Sequence, residues 1–330
     1  MNQHELIAEV FERQAKRRVE RRAFLKFAGM STAVAGAAAV SACGGGGGGD
    51  GLGVDENVNT PPPQTGLSDA DILNFALNLE YLEAQFYSFA ATGAGLAANL
   101  LTGTGTQGEV TGGRQVNFTD QVVRLYANEI AADEVAHVAF LRSALGSAAV
   151  AQPAIDISAT ATGPFSQAAV AAGLITQGQA FDPYASDENF LLGAYIFEDV
   201  GVTAYKGASP LIQSPTFLSA AAGILGAEAY HAGLIRTVLY GKGIATPALI
   251  DATEAISDAR DSLDNPADVD QGVRAMNGAS NIVPTDANGL AFSRSAGDVL
   301  NIVYLNPGAV PQGGFFPNGV NGPINTSTAG

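Results

Sequence analysis

Two of the chain's three histidines sit in the same nine-residue frame. "EVAHVAFLR" runs from Glu134 to Arg142 and "EAYHAGLIR" from Glu228 to Arg236, both reading Glu-x-x-His-x-x-x-x-Arg. On a helix, positions i and i+3 share a face, so each frame presents a carboxylate and an imidazole side by side. Each is preceded by a second kind of frame: "EYLEAQFY", Glu80 to Tyr87, and "EDVGVTAY", Glu198 to Tyr205, both with Tyr seven residues after Glu. The order Glu/Tyr, Glu/His, Glu/Tyr, Glu/His is an internal duplication. It requires a fold in which two similar helix pairs face one another.

Helix signals agree with that requirement. Ser68 with Asp71 three residues on forms a capping-box start, and Gly93 is a stop for the first segment. The second segment starts near Asn117 or Thr119 and stops at Gly146. The third has Ser186 as cap and ends at Gly207. The fourth has Ser214 as cap, Pro215 at its first helical position and Gly241 as stop. Apolar and small residues recur at helical spacing in all four, which predicts an all-α four-helix bundle over residues 68–241. Residues 93–116 and 147–185 are long Gly/Ala/Thr-rich connections, the second with a short helix expected at "SQAAVAAGLI". Residues 242–330 form a C-terminal extension packed on the bundle. It contains helical patterns at "ALIDATEAISDARDSLD" and "SRSAGDVLNIVYL" and is otherwise irregular. Phe315-Phe316-Pro317 is placed to dock on the bundle.

A single Glu-x-x-His is most often a surface pair. Repeated on two helices, with a further Glu on each of the other two, it offers hard oxygen and imidazole donors to one axis, a combination suited to divalent cations. Four buried carboxylates without cations would be costly to desolvate. The set Glu80, Glu134, His137, Glu198, Glu228 and His231 resembles the ligand set of ferritin-like di-iron and di-manganese carboxylate proteins, which implies two Fe or Mn ions. Glu83, one turn after Glu80, shares its face. The duplication aligns Glu80 with Glu198 and Glu83 with Gly201, so Glu80 is taken as the ligand and Glu83 as an extra carboxylate. Tyr87 and Tyr205 have three readings: hydrogen-bonding to ligands of the opposite repeat, redox-active phenols, or packing. Glu129 and Asp133 are read as solvated or as partners of Arg142.

"LNFALNLEYLEAQFY", "EVAHVAFLRSAL", "FEDVGVTAYKGA" and "ILGAEAYHAGLIR" resemble the ferritin-like family that includes plant desiccation-related proteins, a fungal stress-associated protein and exported bacterial members. The resemblance extends through "ISDARDSLD", "FSRSAGDVLNIVYL" and "GGFFPNG". It implies the ferritin-like bundle and a metal centre, without a reaction.

The first 67 residues read as an address. Arg21-Arg22, Phe24-Leu25-Lys26 and an apolar run ending at Cys43 resemble a twin-arginine signal with a lipobox-like end, apart from Glu20 where Ser or Thr is usual. Residues 1–43 are the signal, Cys43 is the lipidation site, and the Gly- and Pro-rich residues 44–67 are a flexible tether. The alternative is an ordinary signal that leaves Cys43 without a role. The expected place is exported, periplasmic or in the cell envelope, held to a membrane by lipid. Seven of the sixteen Lys and Arg fall in the first 26 residues, so the remainder is strongly acidic and excludes nucleic-acid partners. One Cys excludes a disulfide framework.

A dimetal oxidoreductase of catalase-, peroxidase- or ferroxidase-like type follows, acting on a small oxidant or a metal ion in oxidative or desiccation stress, as a monomer or small homo-oligomer. The alternative is a non-catalytic envelope protein whose metal is structural, stored or vestigial.

Overall fold

In the computed structural model, residues 66–264 and 267–329 are described. The leader, Cys43 and nearly all of the tether lie outside them. The chain divides into two units at residue 59, and the described residues belong to the second.

Four long helices carry the duplicated frames: α1 (Asp69–Thr92), α2 (Gln121–Leu145), α4 (Asp187–Ala208) and α5 (Pro215–Ala245). Their ends follow local chemistry. Ser68 and Asp71 close a reciprocal capping box on α1, and Gly93 ends it in the left-handed region at φ 80°. Asp120 caps α2, one residue beyond the predicted Thr119, and Gly146 follows its end. Ser186 caps α4, while Ser214 caps α5 with Pro215 just inside. Helix α5 runs past the expected stop at Gly241. Gly243 lies against Ile250, where an added Cβ would sit 2.5 Å from Cγ1, so packing against the next helix carries the last turn onward. Helix α1 packs most closely with α2, and α4 with α5, as the duplication requires.

Helices α1 and α4 are buried around nearly their whole circumference, whereas α2 and α5 each leave a face exposed. The cover over α1 and α4 comes from the long connections and the extension. Within these lie the short helices α3 (Pro164–Ala171), α6 (Ala248–Asp261) and α7 (Ala296–Tyr304). Two three-residue strands, β1 (Val110–Gly112) and β2 (Ile155–Ile157), pair in parallel and tie the two long connections together. Phe315 does dock on the bundle. Its ring centroid lies 4.9 Å from Phe197 and 5.1 Å from Phe165, both edge-on, and it is fully buried.

Charge fastens the extension as well. Arg236 of α5, Arg260 of α6 and Arg294 are all buried. Arg236 and Arg260 both reach Asp199 of α4, at 2.8 and 3.1 Å. Arg260 and Arg294 both reach Asp270, at 2.6 and 2.9 Å, and Arg294 Nε donates to Asp264 at 2.7 Å. Arg236, at the end of the second Glu/His frame, thus neutralises a buried carboxylate on the neighbouring helix. Arg142 differs: it donates to the Tyr81 hydroxyl instead of pairing with Glu129 or Asp133.

Candidate metal centre

Midway along the four long helices, six side chains converge. Glu80 comes from α1, Glu134 and His137 from α2, Glu198 from α4, and Glu228 and His231 from α5. Glu80, Glu134, His137 and Glu228 each place one donor atom within 4.8 Å of the others, and so do Glu198, Glu228 and His231. Glu228 belongs to both groups. The two imidazole centroids are 6.1 Å apart, and each ring turns Nδ1 toward the carboxylates. His137 Nδ1 lies 3.2 Å from Glu80, 3.5 Å from Glu228 and 3.7 Å from Glu134. His231 Nδ1 lies 3.1 Å from Glu134 and 3.8 Å from Glu198.

Tyr87 donates its hydroxyl to Glu198, and Tyr205 donates to Glu80. Each phenol thus crosses to the carboxylate of the opposite repeat, which is the first of the three sequence readings. Asp133 is not merely solvated: its Oδ2 lies 3.4 Å from His231 Nε2, on the ring edge facing away from the carboxylates. Nothing in the repeat pointed to it, because Ala227 holds the matching position in the second frame. Glu83 is buried beside the cluster but is in neither donor group.

Without a cation, the cluster has to hold protons. Burial, then the Glu134 charge, pushes Glu80 up to about 8. Burial and neighbouring carboxylates also raise Glu228, and raise Glu198 and Glu83 far above the usual range. Burial opposes charge on His231, but Asp133, Glu134 and Glu198 outweigh it and hold the ring at about 11. Glu80, Glu134 and Glu228 raise His137 likewise against its burial. Burial pushes Glu134 up too, yet the two imidazoles prevail and keep it down at about 2.

These shifts fix the sign of a pH effect. Glu80 and His231 hold more protons folded than unfolded, between their ordinary values and about 8 and about 11 respectively. Their contribution is therefore present at low pH and lost as pH rises through those windows. The Glu134 contribution runs the other way but is complete above its ordinary value of 4.5. The melting temperature of metal-free protein is therefore expected to fall steadily from about pH 5 to about pH 9. Thermal scans across that range that rise or stay level would contradict the charge arrangement.

The donor set fits a metal on one direct observation. Both Glu134 oxygens, both Glu228 oxygens, Glu198 Oε2 and His231 Nδ1 are fully buried and make no hydrogen bond. Buried polar atoms are rarely left so, and six together around one point mark a place for a cation.

Comparison with known proteins agrees with this geometry. The description "ferritin-like domain" matches residues 68–241. The desiccation-related protein PCC13-62 of Craterostigma plantagineum is 33% identical over 243 residues, covering 69% of this chain and 75% of that protein. The ferritin-like catalase Nec2 of Nesocodon mauritianus is 29% identical over 272 residues, covering 78% of this chain and 85% of that protein.

Proposed function

This chain belongs to the ferritin-like domain family, and from that premise we propose that it is an exported dimetal carboxylate protein protecting against oxidative or desiccation stress. The supporting observation is the set of six buried, unbonded donor atoms shared by Glu134, Glu198, Glu228 and His231. Two Fe or Mn ions held by Glu80, Glu134, His137, Glu198, Glu228 and His231 would supply redox chemistry toward peroxide, dioxygen or ferrous iron. Four carboxylates match the charge of two divalent ions, leaving the buried site neutral.

The rest is the work of the protein's own groups. Glu228, common to both donor groups, would help hold either ion. Tyr87 and Tyr205 fix the orientation of Glu198 and Glu80 by donating to one oxygen of each. Asp133 orients the His231 ring from its outer edge. Peroxide dismutation is the reaction we favour among these, since it consumes only peroxide and needs no outside reductant. A relative bearing the name catalase supports that choice.

The direct test is oxygen release from peroxide by protein purified with its native metal. Release that tracks metal content supports the enzyme. Full metal content with no release leaves a structural metal as the role. Removing one phenol, Tyr87→Phe or Tyr205→Phe, is expected to weaken metal affinity by roughly 10–100-fold, read by chelator competition. An unchanged affinity would show that the phenols only pack.

The export proposal rests on Arg21-Arg22, the apolar run and Cys43, and no described helix is long and apolar enough to cross a membrane. Labelled fatty acid is expected to be incorporated into the wild type and lost in Cys43→Ser. Equal labelling of both would remove the anchor.

A further inference from the structure

The duplication aligns Glu83 in the first half with Gly201 in the second, so a carboxylate near the site has no counterpart there. Glu83 lies one turn beyond Glu80 on the same buried face and is 5% exposed. It takes no part in either donor group, and the side chains packed around it from α1, α4 and the extension are apolar. A buried carboxylate in that condition calls for a donor.

Space for one is present. A cavity of about 20 Å³ lies between α1 and α4, lined by Leu79, Leu82, Ile196, Phe197 and Val303 among others, with Glu83 its only polar side chain. Such a volume exceeds the roughly 10–15 Å³ that one water requires, so it suits a molecule of one or two heavy atoms. Gly201 connects it to the cluster. A Cβ on Gly201 would lie 2.5 Å from Glu228 Oε2 and 3.5 Å from Glu83 Oε1. The absence of that side chain lets both carboxylates face the same spot, and Glu228 is the residue common to the two donor groups. Val303 of α7 supplies one wall from outside the bundle, so the extension sets the size of the space.

We propose that this cavity is the binding pocket for a small neutral protic molecule, water or hydrogen peroxide, which donates an O–H to Glu83 and is thereby held beside Glu228. That peroxide is the molecule used rests on the function proposed above; that the pocket takes a protic molecule of this size does not. Glu83 and, past Gly201, Glu228 are the two acceptors within reach; the apolar walls offer no others, so they reject charged and larger polar compounds.

Two measurements separate the claims. A high-resolution crystal structure of metal-free protein is expected to show one ordered solvent molecule within hydrogen-bond distance of Glu83; an empty cavity, or a Glu83 carboxylate turned out of it, would overturn the pocket. In metal-loaded protein, Glu83→Leu and Val303→Trp are expected to raise the peroxide KM by about 3–10-fold, the equivalent of one neutral hydrogen bond. Metal content should stay at the wild-type level and kcat should fall less than KM rises. Glu83→Gln, which keeps an acceptor oxygen, should recover most of the loss. A KM within about twofold of wild type in both variants, or loss of metal in Glu83→Leu, would refute the assignment, the second by making Glu83 a ligand. If wild-type protein consumes no peroxide, the proposed reaction fails while the ordered solvent at Glu83 is still expected, so the two failures read differently.

Discussion

Replacing Arg294 with Met is expected to destabilise the protein by about 3–5 kcal/mol, the usual cost of stranding a buried charge by removing its partner. Arg294 is fully buried and serves two carboxylates at once, Asp264 at 2.7 Å and Asp270 at 2.9 Å. Its main chain matters too, since its carbonyl oxygen packs where a Cβ on Gly207 would sit, at 1.9 Å. The Met variant keeps that backbone contact and removes only the guanidinium. Urea or thermal unfolding should therefore show a large loss, partly reversed when Asp264→Asn is added; Asp270 also holds Arg260 and is left in place. If the single variant lost less than about 1 kcal/mol, within the range of an exposed pair, the network would not be what fastens the extension.

The second large effect concerns Glu228. Because this carboxylate belongs to both donor groups, Glu228→Ala is expected to empty both metal positions. Replacing a single-group ligand such as His231 should spare part of the metal. The isosteric Glu228→Gln adds a test with the opposite sign. In metal-free protein Glu228 is raised by burial and by Glu134, so its ionisation at alkaline pH costs stability. The metal-free Gln variant should then lose less stability than metal-free wild type as pH rises into the alkaline range. A variant that keeps its metal, or that without metal loses as much stability as wild type over that range, would show that Glu228 is held for packing or hydrogen bonding.

The bundle and the donor set were legible because each left a local mark. Ser68, Ser186 and Ser214 announce helix starts through side-chain contacts only a few residues long. The donors announce themselves through repetition, which survives without knowledge of the fold. What sequence did not reveal depends on long-range geometry. Arg236 on α5, Arg260 on α6 and Arg294 ahead of α7 are far apart in sequence, and no local pattern at any of them points to Asp199 or Asp270 as the shared partner. Asp133 has no counterpart in the second repeat, and its sequence context suggests solvent or Arg142 as neighbour, whereas it abuts His231. The β1–β2 ribbon is only three residues on each strand, too short for an alternating pattern to show. The continuation of α5 past Gly241 reflects packing of Gly243 on Ile250, a contact that overrides the weak helix preference of glycine.

Glu83 occupies the boundary between these cases. Its spacing marked it as facing the site, and the broken repeat marked it as different from Glu80. Only the structure adds that it opens on a small, otherwise apolar cavity.

The proposed function requires the buried donors to hold cations. Elemental analysis of protein exported by its native host, set against protein concentration, tests this most directly. The account predicts close to two Fe or Mn ions per chain in the wild type and almost none in Glu228→Ala. A folded native preparation free of both metals, or one whose metal content is the same in the variant, would contradict it.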